Sequence, residues 1–534
     1  MNDLNYEVII IGSGMGGLTA GALLSKNSIN TLVLEKHLIP GGYTTTFKRK
    51  DYKFDASLHM INGCGENGSV YNILEKTGIN ISYYKKGDKI TPIAPDEVRF
   101  IELDSLFRIV DKNLNIDYKI PSDFTKYKET LCKEFPDFES NINDFFEEMD
   151  KFTDFVFNFL SSDDSKDRGT PPQRFFTSLQ ETASSLLNDF GITDPRLLKI
   201  ITHITGFFAL PAEKVSQFIY AVGAFGYNKE GAFQVIGGSG ALASAMAETI
   251  KKHGGEVKLK STVDEILIDE AKNKAIGVKL TDGTIYNANY IISNADATHT
   301  FNDLIKVSEE YLKSNKRISK FISTINKRKT SLSAMIAYFG LNIDLKKLGF
   351  TDYELSFYNQ DLSWAEMLEI IETGEFEKNT NLPMTIYSNI DPTCCPEGKS
   401  VVSCIALSDI NYIKKLLESD GTRGKKYKDY KKKFGNFMVK RISDFLGIPD
   451  LDEMVEVMEV ATPLTLNRYT NNRNGAFIGW EVTPEQQITN QIPQKTPIKN
   501  LYLASAWAMP GGGVSAVIMG GNTVANTILK KKNK

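Results

Sequence analysis

Cysteine is scarce in this chain of 534 residues, with five in all: Cys64, Cys132, Cys394, Cys395 and Cys404. None forms a Cys-x-x-Cys pair, so zinc-ribbon spacing and dithiol redox motifs are excluded. Cys394 and Cys395 are adjacent and would make a strained disulfide at best. Idle thiols in a reducing compartment are the simpler expectation. Neither sign of charge dominates: the formal net charge is −3, which gives no basic field for nucleic acid. No apolar run approaches the length of a membrane span. The chain runs from Met1 almost directly into its first apolar strand, without a basic segment and apolar leader, so a cytoplasmic protein is expected. No serine–histidine–acid motif, internal repeat or long low-complexity segment is visible. The length is enough for two domains, and a hydrophobic fraction of 41% is ordinary for a folded protein.

What is present is concentrated at the start. Tyr6 to Ile11 reads as a short buried strand. Gly12-Ser13-Gly14-Met15-Gly16-Gly17 follows at once, and Leu18 to Lys26 reads as a helix. A second apolar run, Thr31 to Leu34, ends in Glu35. Strand, glycine turn, helix and a terminal acid together form a dinucleotide-binding fingerprint. Gly12 permits the tight turn, Gly14 lets the backbone approach a pyrophosphate, and Gly17 lets the helix pack on the strand. Free N–H groups at the helix N-terminus favour the pyrophosphate charge. Glu35 can accept hydrogen bonds from a ribose. Lys36-His37 and then Pro40-Gly41-Gly42-Tyr43-Thr44 extend the site, the glycines allowing close approach of an extended ligand.

The α/β character returns after a long interruption. Gly237 to Gly240 opens an Ala-rich helix over Leu242 to Lys252, which Gly254-Gly255 ends. Strands are expected at Val257 to Leu259 and Val263 to Ile268. Ala275 to Leu280 and Thr284 to Ala288 should form a hairpin around Asp282-Gly283, and Tyr290 to Asp296 a separate buried strand. The chain closes with a strand over Leu501 to Ala504, then Pro510 to Gly513 and a helix to Leu529. Between these pieces lie Phe-rich helical segments and strand-like runs at Val98 to Leu103, Ser333 to Leu341, Met384 to Ile390 and Ser400 to Leu407. The organisation expected is a discontinuous nucleotide-binding domain over 1–75, 230–310 and 485–534, and a substrate domain over 76–229 and 311–484.

These blocks resemble the phytoene desaturase-like flavoproteins, a group that includes carotenoid desaturases, carotene cis–trans isomerases and retinol saturases. The resemblance is carried by Gly12 to Gly17 with Glu35; Gly41-Gly42 with Phe54-Asp55 and His59; Gly237 to Leu242 with Val263; Ile292 to Asp296; Ala461-Thr462-Pro463 with Arg468-Tyr469 and Gly475 to Trp480; and Leu501 to Val514. The isomerase and retinol saturase branch is nearest in style, through Phe-Asp-x-x-x-His and Arg-Tyr-Thr. The resemblance implies an α/β fold in which an FAD-binding Rossmann-like domain of the glutathione reductase and amine oxidase type is interleaved with an α+β substrate domain. FAD is the cofactor it implies. Gly12, Ser13, Gly14, Met15, Gly16 and Gly17 would hold the pyrophosphate, with Glu35 and Lys36 at the ribose. Val263 would meet the adenine, with Asn294 nearby. Gly41, Gly42, Tyr43, Thr44, His59 and Met60 would run beside the ribityl chain and ring. Trp507, Gly512, Gly513 and Val514 would lie near the flavin, where a helix N-terminus stabilises a reduced ring.

The chemistry implied is on C=C or CH–CH bonds of a lipophilic polyene: a carotenoid, retinoid or related isoprenoid. Desaturation, saturation and isomerisation need the same pocket. Tyr43 stands where amine oxidases commonly carry an arginine, which argues against an amine substrate. An amine oxidase-like dehydrogenase and a non-catalytic prenyl carrier of the GDP-dissociation-inhibitor type are the alternatives. There is no second nucleotide fingerprint, so the electron partner stays open between NAD(P)H, a quinone and another carrier. His59 is the one candidate acid or base, although a lone histidine more often packs or hydrogen-bonds than reacts. Asp55 is expected to fix local structure, and Trp480 and Trp507 either to shape the pocket or to pack the core. Phe145, Phe146, Phe152, Phe155, Phe157 and Phe159, with Phe175-Phe176, read as domain core or as a tunnel mouth or contact on the inner face of a membrane. Lys530 to Lys532 and Lys534 read as a solvated tail or a contact for anionic lipid.

Overall fold

The protein, described by a computed structural model over residues 4–89, 91–161 and 170–532, is organised around two seven-stranded sheets. The first sheet has the order Glu256–Lys258, Thr31–Leu34, Leu4–Ile11, Ile285–Ser293, Lys274–Leu280, Val263–Asp269. Leu501–Leu503 pairs in parallel with the upper half of Ile285–Ser293. The strands around Leu4–Ile11 are parallel. A parallel sheet must be covered on both faces, and the residues divide accordingly. Val8, Ile10, Val33 and Ile292 pack under the helices Met15–Lys26, Ser239–Lys252 and Val514–Lys532. Ile9, Ile11, Leu32, Leu34 and Ile291 face the opposite core with Phe301 and Leu503. The period of two in a strand thus turns one apolar run into two buried faces.

The expected hairpin at Asp282-Gly283 is present, but its second arm does not stop at Ala288. Ile285–Ser293 is one strand, not two. The same edge pairs antiparallel with Lys274–Leu280 over Ile285 to Asn287, and then in parallel with Leu501–Leu503 over Ile291 to Ser293. The other edge pairs in parallel with Leu4–Ile11 from Tyr286 to Ser293, which carries the strand through the exposed Asn289, where periodicity alone suggests a break.

The second large sheet has the order Val455–Ala461, Ser333–Leu341, Ser400–Ser408, Leu382–Ile386, Glu354–Tyr358, Ser105–Asp111, Ile116–Pro121. All nine residues of Ser333–Leu341 are buried. Ala334, Ile336 and Tyr338 enter one core; Met335, Ala337, Phe339 and Leu341 enter another, beneath the helix Lys425–Leu446. The strand expected from Met384 to Ile390 ends at Ile386, and Tyr387–Asn389 turns as a short 3-10 segment. A four-stranded sheet joins Ile61–Asn62, Ala232–Val235, Glu97–Glu102 and Asn80–Tyr83, and Val98 and Phe100 share their core with Leu18 and Val33.

The Phe-rich helix Glu139–Ser161 is largely core. Phe145 and Phe146 pack edge-on against Phe225, and Phe152 and Phe155 against Phe218 and Phe175. Phe176 is exposed, and the side chain of Phe159 lies outside the described residues. Near the C-terminus, Lys532 pairs with Glu7 and Lys531 donates to the Tyr502 hydroxyl, while Lys534 lies outside the described residues. All five cysteines are free thiols. Among the described residues no helix is long and apolar enough to cross a membrane.

Candidate functional site

A single cavity of about 450 Å³ runs from the glycine turn of the first sheet to the aromatic side of the second. At one end, Gly12, Gly14, Met15, Gly16, Glu35, Lys36, Val263 and Asn294 line it. Gly41, Gly42, Tyr43, Thr44, His59, Met60, Trp507, Gly512, Gly513 and Val514 continue the wall.

Two residues of the fingerprint stand behind the wall. Ser13 is buried, and its N–H and hydroxyl donate to Glu35 Oε2 at 2.8 and 2.7 Å. The His37 N–H donates to Glu35 Oε1 at 2.9 Å. Both carboxylate oxygens of Glu35 therefore anchor the turn, leaving remaining lone pairs for a ligand. Gly17 underlies the turn: a Cβ there would stand 2.4 Å from the Gly12 carbonyl oxygen. The same construction on Gly14 meets Asn294 Nδ2 at 2.5 Å, so a side chain there would displace the strand-end asparagine from the turn.

The helix Met15–Lys26 has no side-chain cap and no acidic residue in its first turn. Its first intrahelical bond is from the Leu18 N–H to the Gly14 carbonyl at 2.9 Å. The amides before it form a cradle with positive potential, suited to a pyrophosphate. The Gly41 N–H donates to the Ser13 carbonyl at 2.9 Å, tying the second glycine pair to the first turn. The last turn of the helix Pro463–Thr470 and its C-cap Asn471 close this end: Lys36 Nζ donates to the Arg468 carbonyl and to Asn471 Oδ1, and His37 Nε2 meets the Tyr469 carbonyl at 2.7 Å.

Trp507 lines the cavity and donates from Nε1 to Asn472 Oδ1 at 3.0 Å. Trp480 stands behind it, edge-on at 4.7 Å between ring centroids, and donates to the Trp507 carbonyl. Tyr43 donates to the Ala476 carbonyl, and burial pushes its phenol far above the usual range. Asp55 accepts from the Leu58 N–H, the Ser239 N–H and the Ser239 hydroxyl, so it joins the loop after its strand to the start of the helix Ser239–Lys252.

The other half of the cavity is apolar. The helix Gln217–Glu230 supplies Phe218, Ile219, Val222 and Tyr227, the segment His203–Phe208 supplies Phe207 and Phe208, and Phe157, Phe477 and Ile478 complete it. Positions 218, 219 and 222 lie on one helical face, a signal present in the sequence and passed over in favour of the denser phenylalanines upstream. Among the described residues Glu35 is the only carboxylate that lines the cavity, and it stands at the glycine end.

His59 sits where the halves meet. Its ring lies 5.6 Å from that of Phe207. Nδ1 is 2.8 Å from Glu354 Oε1 and 2.9 Å from the Thr385 hydroxyl. Burial works against a charge on His59, but the charge of Glu354 and its hydrogen bond, with Asp55 beyond, outweigh this and raise the imidazole above its ordinary value. Glu354 and Thr385 were missed in the sequence; the available signal was a carboxylate within the apolar run Tyr353 to Tyr358.

Fold and cavity together define a Rossmann-type dinucleotide-binding oxidoreductase architecture with an apolar second chamber. Residues 10–77 match the family model for the NAD(P)-binding Rossmann-like domain. The chain is 26% identical over 542 aligned residues to prolycopene isomerase 2, chloroplastic, of an Oncidium hybrid cultivar, covering 98% of this chain and 84% of that one. It is 24% identical to the all-trans-retinol 13,14-reductase of Danio rerio, covering 99% and 86%, and 24% identical to the phytoene desaturase of Fusarium fujikuroi, covering 99% and 90%. Putrescine oxidase bound to putrescine has the same fold, with a TM-score of 0.61 at 12% identity over 99% of this chain and 100% of that one. The similarity to these isomerase, reductase and desaturase sequences extends over almost the whole length of the chain.

Proposed function

We propose that the protein is an FAD-dependent oxidoreductase or isomerase acting on C=C or CH–CH bonds of a lipophilic polyene of the carotenoid or retinoid class. The observation that carries this reading is the division of one cavity into a glycine-lined end suited to a dinucleotide and an aromatic end that, among the described residues, has no lining carboxylate. An ammonium substrate taken into that second end would be a buried cation without a counter-ion, which is strongly unfavourable. A polyene requires only apolar walls, which these aromatic and aliphatic side chains provide. The named functions of the relatives, isomerase, reductase and desaturase of such compounds, point the same way.

The residues fit a flavin dinucleotide. Amides of the Gly12–Gly17 turn would hold the pyrophosphate and Glu35 the ribose, with Val263 and Asn294 at the adenine end. Gly42 to Thr44, His59 and Met60 would border the ring, with Gly512 to Val514 at its far edge. A bound flavin supplies or accepts a hydride. The protein excludes water, aligns the polyene and manages the proton. The test is turnover of all-trans and poly-cis polyenes by the flavin-loaded protein with product analysis, beside a panel of primary amines and diamines. A saturated, desaturated or isomerised polyene is expected. Amine-dependent peroxide with no polyene product would overturn the reading in favour of the amine oxidase-like alternative.

A further inference from the structure

His59 has a support built from the second sheet. Glu354 and Thr385 are directly opposed residues of two antiparallel strands, so their side chains share one face of the sheet. The Thr385 hydroxyl is 3.0 and 3.1 Å from the two oxygens of Glu354 and 2.9 Å from His59 Nδ1. The backbone beneath the imidazole is held from the same sheet: the Tyr353 hydroxyl donates to the His59 carbonyl at 2.6 Å, and the Tyr387 hydroxyl to that of Leu58 at 2.9 Å. An ionised carboxylate only accepts hydrogen bonds, so Nδ1 of His59 carries hydrogen in this arrangement. The proton that comes and goes is then at Nε2, on a ring that lines the cavity.

We propose that Glu354 and Thr385 are positioning residues that fix Nδ1–H of His59 and make its Nε2 the site of proton exchange with a substrate in the apolar half of the cavity. The proposal rests on the polyene reading above. The neighbouring titratable groups leave this role to His59. Burial pushes the phenols of Tyr43, Tyr227, Tyr353 and Tyr387 far up, so they hold their protons near neutrality. Asp55 is engaged by Ser239 and Leu58. In the reducing direction the Nε2–H bond breaks with its electron pair left on nitrogen, and the proton forms a C–H bond from the π pair of the double bond. A reduced flavin, if held at the glycine-lined end, would supply the hydride that completes the adjacent carbon. In the oxidising direction neutral Nε2 takes the proton, the C–H pair it leaves becomes the π pair, and an oxidised flavin would accept the hydride from the adjacent carbon.

The sign of the pH dependence follows. A raised imidazole keeps its proton to higher pH, so reduction falls as pH rises through the His59 midpoint. Glu354→Gln removes the charge that opposes burial and must move that limb to lower pH. The experiment is an NMR titration of the full chain with carbon-labelled histidine, which gives five imidazole signals, with His59→Asn assigning the one of interest. The wild-type midpoint is expected above about 6.5 and that of Glu354→Gln below it. Thr385→Val provides a second variant and a smaller downward shift. The same variants are then compared in the pH profile of polyene reduction. A limb that moves with the NMR midpoint supports the proposal. An unmoved midpoint in both variants overturns it, and so does a moved midpoint with an unmoved limb, or wild-type turnover by His59→Asn. Failure of the polyene reading is distinguishable: no polyene product forms at any pH, while the titration, read without substrate, still decides the positioning.

Discussion

Glu35 shows how much one carboxylate does before any ligand arrives. Its two oxygens accept separately, one from the Ser13 amide and hydroxyl and the other from the His37 amide. Glutamine cannot reproduce this, because its amide nitrogen would face one of two N–H donors. Hydrogen bonds to a buried charge contribute about 1.5–3 kcal/mol each, and a donor left unsatisfied costs about 1–3 kcal/mol. Glu35→Gln should therefore lower unfolding stability by about 1–3 kcal/mol and weaken flavin retention more than tenfold, measured by denaturant titration and by the flavin-to-protein ratio after dialysis. Unchanged retention would assign Glu35 to the turn alone. Residues of this kind are legible in a sequence because the fingerprint is local. Glu354 is not: it reaches His59 only through sheet register, and no local spacing encodes a contact between residues 59 and 354.

At the level of elements, the helix Gln217–Glu230 walls the apolar half of the cavity. Tyr220, Ala221 and Phe225 pack into the core while Phe218, Ile219 and Val222 turn to the cavity. A charge at Val222 would meet apolar walls without a partner. Val222→Asp is expected to weaken polyene binding by at least tenfold, about 1.4 kcal/mol, while the flavin content stays at the wild-type level, measured by quenching titration and absorbance. Loss of flavin as well would mean that the two ends are not separable. The opening βαβ unit, Ser239–Lys252, Ser333–Leu341 and the closing helix were legible because period and turn chemistry agree along each of them. The strands Ser105–Asp111, Ile116–Pro121 and Glu354–Tyr358 were not. They are short and interrupted by charged residues; the first two pair locally with each other, and Glu354–Tyr358 joins Ser105–Asp111 from far away in the chain. The merging of Thr284–Ala288 with the following run also rests on a distant partner, since the strand that pairs along both segments is Leu4–Ile11.

Across the whole molecule, two sheets built from alternating stretches of chain meet at the loop from Ala56 to His59. Tyr338, Tyr353 and Tyr387, all from the second sheet or its turns, donate to the carbonyls of Ala56, His59 and Leu58. This loop follows the glycine-rich turn in sequence and carries the histidine between the two chambers, so the fold brings a dinucleotide cradle and an apolar chamber to either side of one imidazole. Composition already excluded a basic nucleic-acid surface, and the glycine pattern already located the cradle. The apolar chamber needed the fold, because its walls come from residues near 59, 157, 207, 222 and 477. The central claim is that flavin and polyene share this cavity in reacting contact. It is tested most directly by reducing the flavin-loaded protein anaerobically and mixing it with a polyene while following flavin absorbance and product mass and geometry. Reoxidation with a product two hydrogens heavier, or a geometric isomer formed with the flavin still reduced, is the predicted result. A purified protein that binds no flavin, or a reduced flavin that leaves every polyene unchanged, would contradict it.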